Sequence, residues 1–367
     1  MTTSTSKVRV GVIGAGWWAT TNHIPQLAAR PDVELVSVCA LGRDKLGRIQ
    51  SKFGFRHATE DYEELLDQPL DAVVVSTPHH LHYRQATAAL RKGLHVLCEK
   101  PMTLDAAEAW HLVHLARANS RHLLIPYGWN YKPFVKTAAD MLNNGAVGTV
   151  EFALCHMASP WKSFLDPRMR VMSQWENELS APDPATWQVK ENGGGFAHGQ
   201  VTHSAGLLFR LTGLRAVDVS CRMGSPNRDV DEYNAAHFTF NNGGLGVISG
   251  AANLVDDDKF QVDLRIFGSE GVLLIDMERE RMEVRRHDGK HHTESIPEGL
   301  GAYSCEAPPR RFIDLIQGNG ENESPGEVGA ATVELIQAMF VSARQNGAVV
   351  PIKDFSDPRT TRDHFDR

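Results

Sequence analysis

A glycine-rich turn that directly follows a short apolar strand constrains the fold of this chain more than any other feature. The strand is predicted at residues 8–13, and the turn continues as Gly14-x-Gly16-x-x-Ala19. The first glycine allows a tight turn, the second lets a pyrophosphate approach the backbone, and the third position allows close helix packing. Free N–H groups at the start of the following helix attract phosphate. The pattern therefore predicts a dinucleotide-binding turn, with a purely structural glycine turn as the alternative.

Strands and helices alternate over the first third of the chain. Apolar strands are predicted at residues 8–13, 33–39, 72–76, 94–98 and 123–127. Gly93 suits the end of the helix before the fourth strand, and Thr103 is expected to cap the helix after it. This order predicts an N-terminal Rossmann domain, an α/β unit with a doubly wound parallel sheet, which we place at residues 1–127.

The pattern changes after about residue 130 to that of an α+β domain. An irregular, Trp-rich stretch at residues 160–192 precedes a helix at 203–212, and strands of alternating character follow, joined by Gly- and Asn-rich turns. These turns indicate a large open antiparallel sheet. We expect residues 128–367 to form a substrate-binding and oligomerisation domain. Because one face of an open sheet is left uncovered, a homodimer or homotetramer is expected.

The composition argues against several other classes of protein. The 367 residues carry a net charge of -7, which offers no basic surface to nucleic acid. No apolar run approaches the ~20 residues of a membrane helix, and residues 1–6 lack the apolar segment of a signal peptide. The five cysteines form no CxxC pair, which indicates reduced thiols. We therefore expect a cytoplasmic protein that binds neither nucleic acid nor membrane.

Lys100 lies just after the predicted strand 94–98, in the segment Glu99-Lys100-Pro101. Ligands bind at the carboxyl ends of strands in α/β sheets. Oxidation of a secondary alcohol needs a base for the hydroxyl proton, and a lysine serves when burial and nearby positive charge lower its pKa from ~10.4. The alternative is a surface lysine paired with Glu99.

The end of the second predicted strand bears on the choice of coenzyme. A carboxylate at this point would bind the ribose 2′-OH of NAD, but the segment from Cys39 to Arg43 contains none. Ala40 and Arg43 are expected beside the adenosine ribose, where Arg43 could meet a 2′-phosphate or simply lie in solvent. The segment slightly favours NADP over NAD.

Four motifs in this order and spacing resemble the Gfo/Idh/MocA oxidoreductase family, named after glucose-fructose oxidoreductase and inositol dehydrogenase. They are residues 11–16, 73–82, 95–101 and the glycines 193–195 with His203. The resemblance covers essentially the whole chain. It implies an NAD(P)-dependent dehydrogenase or reductase of a sugar, glycoside or cyclitol, with Lys100 as the catalytic acid/base. It also implies that Ser76, Thr77, Pro78 and His82 border the cofactor, and that Glu99 and Pro101 shape the nicotinamide pocket.

The chain departs from the family pattern at Gly199. The family often reads GGG-x-x-x-D-x-G-x-H, but here Gly199 stands at the Asp position and Val201 at the second Gly. His203 is therefore carried over as a catalytic residue, while the Asp is not. Gln200 or His198 is a candidate to assist, and a core histidine is the alternative reading of His203.

The remaining site predictions concern aromatic and histidine residues near the expected cleft. Tryptophans stack on the apolar faces of sugar rings, and Trp175 lies in the same irregular stretch as Trp161. No metal site is expected at the histidines that follow Pro78, because no Cys or acid with ligand spacing lies nearby. The predicted cofactor residues are Gly14, Gly16, Trp17, Trp18, Ala40, Arg43, Ser76, Thr77, Pro78, His79, His82, Glu99, Lys100 and Pro101. The predicted substrate residues are Lys100, Trp129, Asn130, Trp161, Lys162, Gln200 and His203.

Two other functions are compatible with these motifs. A glycosidase could use a tightly held NAD for transient oxidation at C3, and it would purify with NAD bound. A non-catalytic regulator could bind the dinucleotide alone, but it would need neither Lys100 nor His203.

Overall fold

Residues 7–169, 177–225 and 229–366 are described by a computed structural model and contain two sheets. The first sheet is wholly parallel, with strand order β3-β2-β1-β4-β5-β6. Its strands are β1 (Val8–Ile13), β2 (Val33–Cys39), β3 (His57–Thr59), β4 (Ala72–Val75), β5 (His95–Cys98) and β6 (Leu123–Leu124). The predicted doubly wound Rossmann sheet is confirmed. The order reverses between β1 and β4, which opens a crevice at the carboxyl ends of these strands.

Among the described residues, five helices accompany this sheet, and one of them begins differently from the prediction. They are α1 (Ile24–Ala28), α2 (Arg43–Phe53), α3 (Tyr62–Leu66), α4 (His82–Arg91) and α5 (Ala106–Ala118). Asp105, not Thr103, caps α5, because its carboxylate accepts hydrogen bonds from the backbone N–H groups of Ala107 and Glu108. Gly93 ends α4 in the left-handed conformation, as predicted, with φ of 74°.

In the part of the chain that the structure describes, the second sheet has nine strands in the order β14-β13-β12-β11-β7-β10-β9-β8-β15. It is mixed and mostly antiparallel, whereas the sequence predicted an antiparallel sheet. The exception is the parallel pair of β7 and β10, which arises because β7 enters the sheet between β11 and β10. The strands are β7 (Val150–Ala158), β8 (Ala216–Gly224), β9 (Tyr233–Phe240), β10 (Leu245–Ala251), β11 (Gln261–Gly268), β12 (Gly271–Asp276), β13 (Arg281–Arg286), β14 (His292–Glu294) and β15 (Val350–Pro351).

Helices cover one face of the second sheet and leave the other partly open. The remaining helices of the described residues, of which α10 and α12 lie away from this sheet, are α6 (Pro133–Asn143), α7 (Lys162–Leu165), α8 (Pro184–Gln188), α9 (Thr202–Thr212), α10 (Ala307–Ile316), α11 (Gly326–Arg344) and α12 (Pro358–Phe365). Buried side chains of α6, α9 and α11 join those of the sheet in one apolar cluster. The polar helix α12 was not predicted, and Asp357 caps it.

The C-terminal helices also contact the Rossmann part of the chain. Phe312 and Ile313 of α10 share an apolar cluster with Val10 of β1. Glu334 of α11 accepts a hydrogen bond from Trp110 of α5 at 2.7 Å. Because C-terminal helices pack against the Rossmann part, these contacts do not mark a domain boundary, and the division at residues 127/128 stays a prediction. Across the described ranges, no helix combines the length and apolar character that a membrane crossing requires.

Candidate active site

The glycine turn joins β1 to a π-helical turn at Ala19–His23 and then to α1. Gly14 has φ of 88°, and a Cβ there would lie 2.6 Å from the carbonyl carbon of Ser76. A Cβ on Gly16 would meet nothing within 4 Å. The Gly16 backbone therefore borders open space, as a bound pyrophosphate requires. Ala19 is fully buried and packs with the β-strand core.

A cleft of about 950 Å³ runs from this turn along the carboxyl ends of β1, β4 and β5 to the second sheet. It collects most of the predicted site residues from both parts of the chain. Those that line it are Gly14, Gly16, Trp17, Trp18, Ala40, Ser76, Thr77, Pro78, His79, Glu99, Lys100, Trp129, Trp161, Gln200 and His203.

Lys100 lies in the cleft with only 6% of its surface exposed. Its Nζ donates a hydrogen bond to the carbonyl oxygen of Gly199 at 2.8 Å. The Nζ also lies 5.8 Å from the ring centre of Trp187. Burial lowers the pKa of Lys100 to about 8, although the charge of Glu99 opposes the shift. The amine can therefore exchange a proton near neutral pH.

Three hydrogen-bond donors hold the carboxylate of Glu99, the residue before Lys100. The Nε2 of His23 lies 2.6 Å from Glu99 Oε1, and the Nε1 of Trp18 lies 2.7 Å from the same oxygen. The backbone N–H of Lys100 donates to Oε2 at 3.1 Å. Burial alone raises the pKa of Glu99, but His23 and Lys100 outweigh burial, so that the net pKa is lowered.

His203 and Gln200 bring unpartnered polar atoms to the cleft. Both side chains are more than nine-tenths buried. His203 Nδ1 and Gln200 Oε1 have no hydrogen-bond partner within the described part of the protein. Buried polar atoms of this kind are costly unless a ligand or water satisfies them. Burial and the charge of Lys100 lower the pKa of His203 well below its usual value, so the ring is neutral at pH 7.

Gly199 shows why this chain can lack the family's Asp. A Cβ at Gly199 would lie 3.2 Å from Trp161 Nε1 and 3.7 Å from the Trp187 ring. The two indoles therefore lie close around the position that any side chain at residue 199 would start from. The backbone carbonyl of Gly199 contacts Lys100 in its place.

Five residues predicted for the site do not line the cleft, and each has a structural reason. Arg43 points into solvent, with 92% of its side chain exposed, 3.7 Å from Glu60. Lys162 begins the short helix α7 on the exposed side. Asn130 is buried and donates to Ser324 Oγ at 2.9 Å.

The other two residues lie behind the cleft, where they join its loops. His82 Nδ1 lies 2.9 Å from the Pro101 carbonyl oxygen, and Nε2 lies 2.7 Å from that of Thr77. His82 and Pro101 therefore support the cofactor loops from behind. Trp175, a further aromatic candidate, falls outside the described residues.

Several cleft residues were missed because no motif marks them. Lys45, Tyr62, Arg84, Trp187 and Tyr303 also line the cleft, with Trp187 5.8 Å from Lys100 Nζ. Trp187 lies within the irregular stretch at residues 160–192, and Tyr303 follows the last strand of the meander. Aromatic residues next to a predicted cleft were the only available signal.

This arrangement defines a class of protein. An open glycine turn on a doubly wound sheet binds a dinucleotide, and a buried lysine with a pKa of about 8 lies at the end of β5. Together these features are those of a dinucleotide-dependent oxidoreductase. Within the described ranges, no group of three His, Cys, Asp or Glu is arranged to hold a metal ion.

The family follows from two sequence matches. The family model of NAD-binding Rossmann oxidoreductases matches residues 8–127, and the Gfo/Idh/MocA C-terminal domain matches residues 135–274. The chain belongs to the Gfo/Idh/MocA family of oxidoreductases, as the motifs predicted.

Characterised relatives share parts or all of this chain. It is 26% identical to the scyllo-inositol 2-dehydrogenase (NADP(+)) of Bacillus subtilis over 94% of this chain and 98% of that protein. It is 34% identical to a dTDP-3,4-didehydro-2,6-dideoxy-alpha-D-glucose 3-reductase of Actinomadura kijaniata, over 45% of this chain and about half (49%) of that reductase. A levoglucosan dehydrogenase structure in complex with NADH and levoglucosan has a TM-score of 0.76 at 20% identity, covering 95% of this chain and 100% of that one. The structural match supports the fold.

Proposed function

We propose that this protein is an NAD(P)-dependent dehydrogenase or reductase of a ring hydroxyl or ketone in a sugar, glycoside or cyclitol. The observation that supports it most is the position of Lys100. Its amine is buried in the cleft, fixed by the Gly199 carbonyl, and has a pKa of about 8. A group with this pKa can accept a proton in alcohol oxidation and return it in ketone reduction.

The residues around the glycine turn suit a dinucleotide. Gly16 leaves room for the pyrophosphate, and Ser76, Thr77 and Pro78 line the cleft between the turn and Lys100. A bound nicotinamide supplies or accepts the hydride. In oxidation, the neutral Lys100 amine takes the hydroxyl proton. In reduction, the Lys100 ammonium donates that proton to the new alkoxide.

His203 and Gln200 would orient the substrate without changing charge. Among the described residues, the Nδ1 of the neutral His203 ring and the Oε1 of Gln200 have no hydrogen-bond partner. These atoms can bind the hydroxyl groups of a polyol, which donate and accept hydrogen bonds. His203 is held by Trp129 and Tyr303, whose ring centres lie 5.8 and 4.8 Å from its own.

The aromatic walls favour a ring substrate. Trp161 and Trp187 line one part of the cleft, and Trp129, Phe260 and Tyr303 line another. Aromatic faces suit the CH faces of sugars and cyclitols. The named activities of the relatives, on inositol, levoglucosan and a dTDP-sugar, belong to the same substrate class.

We assign coenzyme selection to Lys45 and Arg84 in place of Arg43. Both line the adenosine end of the cleft, and Arg84 lies 5.1 Å from the ring centre of Tyr62. Glu60 is already engaged, because its Oε1 accepts from the Gly42 backbone at 2.7 Å. Two cations without a carboxylate at the end of β2 favour the 2′-phosphate of NADP.

A homodimer or homotetramer remains part of the proposal. The open face of the second sheet exposes Tyr233, Leu245 and Phe267, and exposed apolar residues on a sheet face mark association surfaces. Light scattering after gel filtration tests it. A mass of one chain, 40.6 kDa, would contradict this part.

The experiment that tests the function is an absorbance screen at a wavelength where reduced nicotinamide absorbs. Sugars, glycosides and inositols are tested with NAD and NADP in parallel, on protein stripped of nucleotide. Hydride transfer to added coenzyme supports the proposal. In a parallel assay on protein that has not been stripped, hydrolysis of a glycoside without added coenzyme would show a glycosidase instead. Binding of the coenzyme without hydride transfer to any compound would indicate a regulator.

A further inference from the structure

A buried histidine and a buried carboxylate lie side by side next to Lys100. His23 is 2% exposed and ends the π-helical turn that follows the glycine turn. Its Nε2 lies 2.6 Å from Oε1 of Glu99, the residue that precedes Lys100 in sequence. No family motif quoted above includes His23, and a histidine buried under a coenzyme turn needs an explanation.

We propose that His23 and Glu99 are positioning residues that together set the charge of Lys100. His23 keeps the Glu99 carboxylate ionised and fixed in position. The negative charge of this carboxylate keeps the Lys100 amine protonated as the pH rises, up to the pH at which catalysis occurs. The proposal rests on the proposed function only in taking Lys100 as the acid/base.

The contacts of Glu99 support the first part. A carboxyl group that is 7% exposed would protonate unless donors compensated for its lost hydration. Here Oε1 receives His23 Nε2 and Trp18 Nε1, and Oε2 receives the backbone N–H of Lys100. These contacts and the charges of His23 and Lys100 act against burial and leave the pKa of Glu99 lowered.

The surroundings of Lys100 support the second part. Burial is the largest influence on its pKa and lowers it, while Glu99 is the first influence that raises it. Without the Glu99 charge, burial would drive the pKa below about 8. The ammonium would then lose its proton too readily to act as the acid in reduction.

The other titratable groups that face this pair are uncharged at neutral pH, whereas Glu99 carries a negative charge. Burial raises the pKa of the thiols and phenols and lowers that of the histidines. Glu99 is therefore the group whose charge can control Lys100. The groups that face the pair are Cys98, Cys305, Tyr127, Tyr303, His79, His82 and His203.

The test is an NMR titration of Lys100 that does not require turnover. Full-length protein is labelled with ¹³C-lysine, and the Cε resonance of Lys100 is assigned by its loss in Lys100→Met. The wild-type midpoint is expected at about 8. Glu99→Gln, which preserves size, should lower the midpoint by about one unit or more, the effect of losing a nearby opposite charge. His23→Leu should shift it in the same direction, because Glu99 then takes up a proton.

His23→Gln is the matched rescue variant, since its amide can donate to the same carboxylate oxygen. Its midpoint should lie closer to the wild type than that of His23→Leu. In kinetics, the acid limb of kcat/KM for oxidation should follow the same shifts, with the coenzyme KM little changed. An unchanged midpoint in Glu99→Gln would overturn the proposal, as would equal midpoints in the two His23 variants. Should His23→Leu not fold, Glu99→Gln alone decides. An active Lys100→Met would refute the acid/base role of Lys100, while the NMR titration still decides whether the pair controls its charge.

Discussion

Placing the family's aspartate at Gly199 should lower the thermal stability of this protein and change the pH dependence of its activity. The Cβ of Gly199→Asp would lie 3.2 Å from Trp161 Nε1 and 3.7 Å from the Trp187 ring, so the Trp161 indole must shift by a few tenths of an ångström. Overpacking of this kind costs about 1–3 kcal/mol. At about 2–4 °C per kcal/mol, the melting temperature should fall by roughly 2–12 °C. Gly199 is helical and has no positive φ, so the backbone adds no strain.

The new charge should also act on Lys100, whose Nζ is 2.8 Å from the Gly199 carbonyl oxygen. An opposite charge nearby raises a lysine pKa by about 1–3 units. Each unit lowers the neutral amine fraction at pH 7 about tenfold, and the acid limb of kcat/KM for oxidation should move to higher pH by the same amount.

Gly199→Asn is the matched control, because it has the same size without the charge. Both variants should lose thermal stability, measured by differential scanning fluorimetry, and only Gly199→Asp should move the acid limb. The reasoning is refuted if Gly199→Asp keeps the wild-type melting temperature, or if its acid limb coincides with that of Gly199→Asn.

Three further predictions follow from the same geometry. Because neutral Lys100 is the base, oxidation should accelerate as pH rises through about 8 while reduction slows, and stopped-flow rates with opposite or absent pH trends would contradict this. Gly14→Ala places a Cβ 2.6 Å from the Ser76 carbonyl carbon and should lower the melting temperature. Gly16→Ala should keep the wild-type melting temperature but bind NADPH at least about tenfold more weakly. Equal melting temperatures of the two variants would contradict this prediction. Asn130→Ala should cost about 1–3 kcal/mol of stability with an unchanged substrate KM, and a raised KM without destabilisation would return Asn130 to the substrate site.

The sequence predicts the local features of the fold and site well. The glycine turn, the parallel order of the first sheet and the position of Lys100 at a strand end depend on short stretches of chain. The position of β7 between β11 and β10 depends on pairing between distant segments, so the parallel pair could not be read from turns. The cap of α5 depended on where the helix begins, and it begins at Ala106, so that Asp105, with its extended backbone, directly precedes it.

The sequence does not show in which direction a side chain points, and some predicted site residues therefore do not line the cleft. Arg43 and Lys45 are two residues apart on α2, yet only Lys45 faces the cleft. His82 carries a family motif position but turns both ring nitrogens to backbone carbonyls. Tyr303 reaches the cleft from a loop about two hundred residues from Lys100 in sequence, where no spacing rule applies.

The coenzyme assignment is tested by the ratio of kcat/KM for NADP to that for NAD. Lys45→Ala and Arg84→Ala should each lower the ratio about tenfold, the size of one lost charged contact to phosphate. Arg43→Ala is the control and should leave the ratio unchanged, because its side chain is 92% exposed. A loss confined to Arg43→Ala would restore the prediction made from the sequence.

The central claim is that Lys100 exchanges the substrate proton, and Lys100→Met tests it most directly. Single-turnover hydride transfer is followed by nicotinamide absorbance, and coenzyme affinity by the fluorescence of NADPH. Lys136→Met, at an exposed lysine of α6, is the control. The account predicts that Lys100→Met loses hydride transfer by at least about a hundredfold while NADPH affinity falls only modestly, and that Lys136→Met matches the wild type. Near-normal hydride transfer in Lys100→Met would contradict the account.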